Sequence, residues 1–150
     1  MSEVYEQAVI DAPVATVWEL VGNPRRYPDW LPRVFEIQGK RFEEGAEFIQ
    51  ISHRPLFGRD EAHFMIDEMD ELREIRMHCT ISGMFAHWQL TEAQGGTFVN
   101  AVFGMDPLRR RDRMIDFAVG RRFFRQWLAQ AVESLERCTR EAPDAGADGP

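Results

Sequence analysis

Arg109–Glu141, RRRDRMIDFAVGRRFFRQWLAQAVESLERCTRE, is the stretch on which the fold of this 150-residue chain turns. Its apolar residues Met114, Phe117, Phe124, Leu128, Ala131 and Leu135 recur mostly at three- and four-residue steps. That spacing predicts an amphipathic helix with one buried face. Asp106 and Pro107 just upstream offer an N-cap and a first-turn residue. Unbroken to Arg140, the helix would run roughly 50 Å at 1.5 Å per residue, too long for a small domain. A break is therefore expected before Gly120, with firm helix after it. Such a helix needs an apolar surface, and six strand-like runs between Phe35 and Met105 are the only candidate.

Working outward, Val4–Asp11 alternates weakly and reads as a first strand whose inward face is open. Pro13 starts a short helix on which Val14, Val17, Trp18 and Val21 share a face, and Gly22 ends it. Asn23-Pro24 caps a second, shorter helical piece that Pro28 and Pro32 keep from extending. One strand, two short helices, six strands and a long helix make an α+β order.

Turn signals place the hairpins in register. A loop at Ala93-Gln94-Gly95-Gly96 pairs Leu90 with Val99, Trp88 with Ala101 and Ala86 with Phe103. That set is wholly apolar, so the Trp88 face is inward, and His87, Val102, Gln89 and Asn100 face out. A turn at Met69-Asp70-Glu71-Leu72 pairs Ile66 with Ile75, Phe64 with Met77 and Ala62 with Cys79. It leaves His63 opposite His78 on a solvent face. A turn at Pro55-Leu56-Phe57-Gly58 pairs Ile51 with Ala62 and Ile49 with Phe64. This last register is the least constrained, because a one-residue slip would turn Phe48 inward instead.

Composition bounds the rest. With 44% hydrophobic and 29% charged residues the chain is an ordinary globular domain, expected to span residues 1–141 with a disordered tail at 142–150. Cys79 and Cys138 read as free thiols in a reducing cytoplasm, and no signal peptide or membrane-spanning run is present. A net charge of -7 argues against a general nucleic-acid surface. Lys40 is the only lysine among 18 basic residues. The arginines at 109, 110, 111, 113, 121, 122 and 125 form a local basic cluster, most simply a solvated face and otherwise a contact for anionic headgroups or an acidic partner. No HExxH, CxxC, P-loop, GxGxxG or GxSxG occurs, so no metal, nucleotide cofactor or serine nucleophile is implied. His63 and His78 alone do not make a metal site.

Three stretches carry a family resemblance: IDAPVATVWELVGNPRRYPDWLP, EGAEF and ISGMFAHWQLTEAQGGTFV, followed by the long terminal helix. Together they resemble the START-like, helix-grip superfamily (SRPBCC), within it the polyketide cyclase/dehydrase and lipid-transport group, over Val4 to about Glu141. The resemblance implies a curved antiparallel sheet wrapped around the terminal helix, with a cavity between them for an apolar or aromatic ligand. No cofactor is expected. The fold hosts carriers, cyclases, hydrolases and regulators alike, so it does not choose among them.

The expected cavity lining is Tyr27, Trp30, Leu31, Ile49, Ile51, Ala62, Phe64, Ile66, Ile75, Met77, Cys79, Trp88, Leu90, Val99, Ala101, Phe103, Phe117, Phe124 and Leu128. Ala62 and Ala101, small among large apolar neighbours, leave room, and a planar ligand is expected over Ala101 against Trp88. The resemblance also implies that cyclases of the group line the pocket with arginine and tyrosine to polarise carbonyls. Here Ile66, Cys79 and Val34 stand where such groups would be expected, which favours binding over cyclisation. The polar candidates are His53 with Asp60 as its neighbour, the hydroxyl of Tyr27 at the cavity mouth, and Arg121 between Phe117 and Phe124. For His53 and Arg121 the plainer readings are an exposed rim pair and a snorkelling surface arginine. The leading expectation is a binder of a hydrophobic small molecule, an aromatic polyketide or lipid-like compound. The alternatives are an aromatase/cyclase or dehydrase acting on a substrate tethered to a polyketide synthase carrier protein, and a partner-binding regulator with an incidental cavity.

Overall fold

A computed structural model describes residues 3–53, 58–105 and 114–141, with backbone only at 114–119. The expectations for residues 55–57 of the turn tip, the Asp106-Pro107 cap, the arginines at 109–113, the Phe117 side chain and the 142–150 tail fall outside this description. Seven strands form one antiparallel sheet: β1 (Glu3–Ile10), β2 (Val34–Gln38), β3 (Glu47–His53), β4 (Arg59–Asp70), β5 (Glu74–Cys79), β6 (Met84–Ala93) and β7 (Gly96–Met105). Their order is β1-β7-β6-β5-β4-β3-β2. Between β1 and β2 come α1 (Val14–Val21), a single 3-10 turn at Pro24–Arg26 and α2 (Tyr27–Trp30), and α3 (Met114–Glu141) follows β7. The architecture is the α+β helix-grip arrangement expected from the sequence.

Helix α3 presents Leu128, Ala131, Val132 and Leu135 to the core. Its 28 residues correct the expected break before Gly120, because the helix runs unbroken from Met114. Glycine is tolerated there, and it gives the Phe124 ring a place to lie. A Cβ on Gly120 would stand 3.1 Å from that ring. Strand β1 buries Val4 and Ile10 and exposes Tyr5 and Val9, which settles the inward face that its weak alternation left open.

The end of α1 is closed by side chains. The last carbonyls of any helix lack intrahelical donors. Here the Tyr27 hydroxyl donates to Val21 O at 2.8 Å and the Trp30 indole Nε1 donates to Leu20 O at 3.1 Å. Two buried aromatics of α2 thus bind α1 and pack edge-on to each other at 5.7 Å.

The β6–β7 register is the expected one: Leu90 opposite Val99, Trp88 opposite Ala101, Ala86 opposite Phe103. The turn is tighter than drawn, since Ala93 also pairs with Gly96, leaving Gln94-Gly95 as the loop with Gly95 at φ +83°. The β4–β5 register is two residues off the expected one. Phe64 opposes Cys79 and Ile66 opposes Met77, a bulge lies between Ile66 and Glu68, and Leu72 at φ 69° carries the turn. The shift of two preserves facing up to Ile66, and beyond the bulge it becomes three, with Met69 opposite Ile75; Phe64, Ile66, Ile75, Met77 and Cys79 all stay inward. His78 now opposes Met65, and its Nδ1 lies 2.8 Å from the Asp67 carboxylate in a buried site, not on a solvent face opposite His63.

The β3–β4 register is one residue off, and that changes facing. Phe48 opposes Phe64, Gln50 opposes Ala62, Ser52 opposes Asp60 and His53 opposes Arg59. Ile49 and Ile51 therefore stand on the outer face, opposite His63 and Glu61, and outside the core cluster. The physical reason is aromatic packing. Phe48 is 2% exposed, stacks on Phe64 at 5.6 Å and meets Tyr27 edge-on at 6.5 Å. A strand apolar on both faces cannot declare its phase by pattern alone.

Gly96 tests the sheet's left side. A Cβ there would stand 2.6 Å from the Ile10 carbonyl oxygen, a backbone atom that cannot rotate away. Gly96→Ala should cost about 1–3 kcal/mol in chemical denaturation, the usual range for overpacking. At Gly95 a Cβ meets nothing within 4 Å, so Gly95→Ala should cost only the strain of positive φ, about 1–2 kcal/mol. No measurable loss for Gly96→Ala would mean that β1 does not pair as described.

Candidate functional site

Between the sheet and the first described turns of α3 lies a cavity of about 440 Å³. Strands β2 to β5 contribute Val34, Gln50, Ser52, Ala62, Phe64 and Cys79, and β6 and β7 contribute Met84 and Phe103. Helix α3 closes it with Phe123, Phe124 and Trp127. The rim carries Pro32, Arg33, His53, Asp60, Glu61, Ile81 and Ser82. The size is in the range that accepts a small ligand, roughly 300–1,000 Å³.

The aromatic wall is one connected unit. Phe103 lies 5.4 Å from both Phe124 and Trp127, centroid to centroid. Trp127 Nε1 donates to Pro32 O at 3.0 Å, tying α3 to the segment that enters β2. The Arg33 guanidinium stands 5.6 Å from the centroid of Phe123.

Cys79 lines the cavity at its sheet side. Burial alone would push its thiol up. Hydrogen bonds from the Ser82 side chain and from the backbone at Ser82, Ile81 and His63 outweigh burial and hold it below the ordinary thiol range. Ser82 N lies 3.5 Å from Sγ. In Cys138 burial wins and pushes the thiol up.

The residues expected at the site divide by position. Ala62, Phe64, Cys79, Phe103 and Phe124 line this cavity together. Trp30, Leu31, Ile66, Ile75, Met77, Trp88, Leu90, Val99, Ala101 and Leu128 belong to the buried core, where Trp88 packs edge-on to Trp30 at 5.2 Å. Tyr27 is 2% exposed with its hydroxyl on Val21 O, away from the mouth, and burial pushes that hydroxyl far above the ordinary phenol range. The His53 ring stacks on Phe35 at 4.3 Å and opposes Arg59 across the strands. Arg121 donates to Glu3 O at 2.8 Å, at the start of β1. Gln50, Ser52, Met84, Phe123 and Trp127 were not foreseen. The first two follow once β3 slips by one, and Trp127 follows from Phe123 by its four-residue step.

A curved antiparallel sheet gripping one long helix, with a small-molecule-sized cavity between them, defines a helix-grip ligand-binding domain. The chain belongs to the polyketide cyclase / dehydrase and lipid transport family, whose model matches residues 1–139. No curated protein matches it. Among solved structures it is similar to a protein from Nitrosomonas europaea, at TM-score 0.75 and 15% identity over 93% of this chain and 95% of that one. It is also similar to the di-domain ARO/CYC StfQ of the steffimycin biosynthetic pathway, at TM-score 0.72 and 12% identity over 93% of this chain and 51% of that one. A third similar structure, Ara h 8.0201, gives TM-score 0.64 and 12% identity over 93% of this chain and 98% of that one. At such identities the likeness is one of fold. Among the described residues no helix is long and apolar enough to cross a membrane, and no group of three or more His, Cys, Asp or Glu could hold a metal ion.

Proposed function

We propose that this chain binds a flat, largely apolar small molecule, of the aromatic-polyketide or lipid-like kind, and holds it without turnover. The observation that carries the reading is the cavity of about 440 Å³ walled by Phe64, Phe103, Phe124 and Trp127. Binding is favoured over cyclisation because the side chains expected to do polar work are engaged elsewhere: Tyr27 on Val21 O, Arg121 on Glu3 O, His53 against Phe35. A substrate tethered to a carrier protein belongs to the cyclase alternative and is not part of this reading. Two free thiols suit a reducing compartment, and we place the protein in the cytoplasm.

Cys79 makes the test simple. The thiol borders the cavity, and its hydrogen bonds act against burial to lower its pKa. Iodoacetamide should therefore label it at a rate set by cavity access, with Cys138 as internal control. Anthrone at ten times its Kd should slow Cys79 labelling about tenfold by mass action and leave Cys138 unchanged. Native mass spectrometry of protein purified from its host should show a co-purified mass. Unchanged labelling with every apolar ligand tried, and no co-purified mass, would favour the partner-binding regulator instead.

A further inference from the structure

We infer that the cavity selects ligands carrying an uncharged hydrogen-bonding edge, a hydroxyl or ketone carbonyl, and that Gln50 and Ser52 on β3 read that edge. The inference rests on the binding function proposed above and deepens it. In the β3–β4 register Gln50 opposes Ala62 and Ser52 opposes Asp60, in phase with the buried Phe48. Both Gln50 and Ser52 are partly buried and line the cavity. Neither side chain has a hydrogen-bond partner among the described residues. Ala62, with a single methyl, leaves the flank of Gln50 open.

The facing wall cannot satisfy them. Phe103 and Phe124 offer only ring faces, and the one indole donor there, Trp127 Nε1, is committed to Pro32 O. The cavity is therefore one-sided: amide and hydroxyl along β3, aromatic along β7 and α3. A ligand that expels water from Gln50 and Ser52 must replace the lost hydrogen bonds or bear the cost of leaving them unmade. A flat ring system with one hydroxyl can lie against the aromatic wall and turn that group toward β3. A carboxylate in its place is disfavoured, since one amide and one hydroxyl do not offset the cost of taking its charge out of water.

Equilibrium dialysis with naphthalene, 2-naphthol and 2-naphthoate tests this directly. Wild type should bind 2-naphthol about tenfold more tightly than naphthalene, the scale of one buried hydrogen bond made or lost, and should bind 2-naphthoate no better than naphthalene. In the double variant Gln50→Met, Ser52→Ala the preference for 2-naphthol should vanish while naphthalene binding persists. Retained naphthalene binding shows that the variant is folded with its cavity intact. Equal binding of naphthalene and 2-naphthol by wild type, or a preference that survives the double variant, overturns the inference and leaves the binding function standing. Tightest binding of 2-naphthoate also overturns it, by assigning the edge to Arg33. Failure of all three compounds to bind wild type overturns the binding function itself, and this inference with it. If the double variant loses naphthalene as well, the single variants Gln50→Met and Ser52→Ala decide: either one abolishing the preference with naphthalene retained supports the inference, and neither doing so overturns it.

Discussion

Trp88→Ala should lower the free energy of unfolding by about 3–5 kcal/mol, the range for large-to-small changes of buried aromatics. The indole is 4% exposed, opposes Ala101 and Ile75 on its two neighbouring strands and meets Trp30 edge-on at 5.2 Å. Removing it opens a void between the sheet and α2, and the void cannot collapse without moving Trp30, whose nitrogen is tied to Leu20 O. His87→Ala, one residue away on the opposite face, should cost only about 1 kcal/mol, since it loses a half-buried contact with Glu74 at 3.2 Å. Urea denaturation of both variants gives the comparison. Equal losses would mean that the facing of β6 is wrong.

Ala62→Trp should weaken binding of a two- or three-ring ligand at least tenfold, and the protein should remain folded. Ala62 lines the cavity opposite Gln50, so an indole added there occupies volume that the ligand would use. A ligand deprived of that volume loses the apolar contact on which binding rests, about 25 cal/mol for each Å² no longer covered. Some 60 Å² of lost contact is already roughly tenfold. Unchanged affinity in a variant with a native melting transition would place the ligand outside this cavity.

The contrast between Ala62 and Ala101 shows how far the sequence could be read. Both are small residues on an inward, aromatic-rich face, and periodicity alone assigns them the same spare room. In the fold Ala101 has no exposed surface, flanked by Glu6 on β1 and Trp88 on β6. Ala62 lies at the cavity. What separates them is which strands α3 packs against, chiefly β1 and β7, a property of tertiary packing that no local pattern encodes.

Strand registers follow the same logic. The β6–β7 hairpin was legible because one face is wholly apolar and the other carries His87, Gln89 and Asn100, so only one phase satisfies both water and core. On β3 the pattern is ambiguous, with Phe48 on one face and Ile49 and Ile51 on the other. Burial on the outer side hides the choice further, since Ile51 is 1% exposed there. The slip then carried the site reading with it: it turned His53 outward and brought in Gln50 and Ser52. Bulges are equally opaque to pattern, and the one after Ile66 moved the β4–β5 turn to Leu72 and set Met69 against the core, opposite Ile75.

The two indole hydrogen bonds have a spectroscopic consequence. Trp30 gives its N–H to Leu20 O in the core, and Trp127 gives its own to Pro32 O at the cavity wall. In a 15N-labelled sample these should appear as two separate indole resonances, one slow to exchange with deuterated solvent and one faster. A ligand entering beside Trp127 would shift the second and leave the first in place, whereas global loosening would speed both. The molecule thus carries its own pair of reporters, one for occupancy and one for integrity, without any label being engineered.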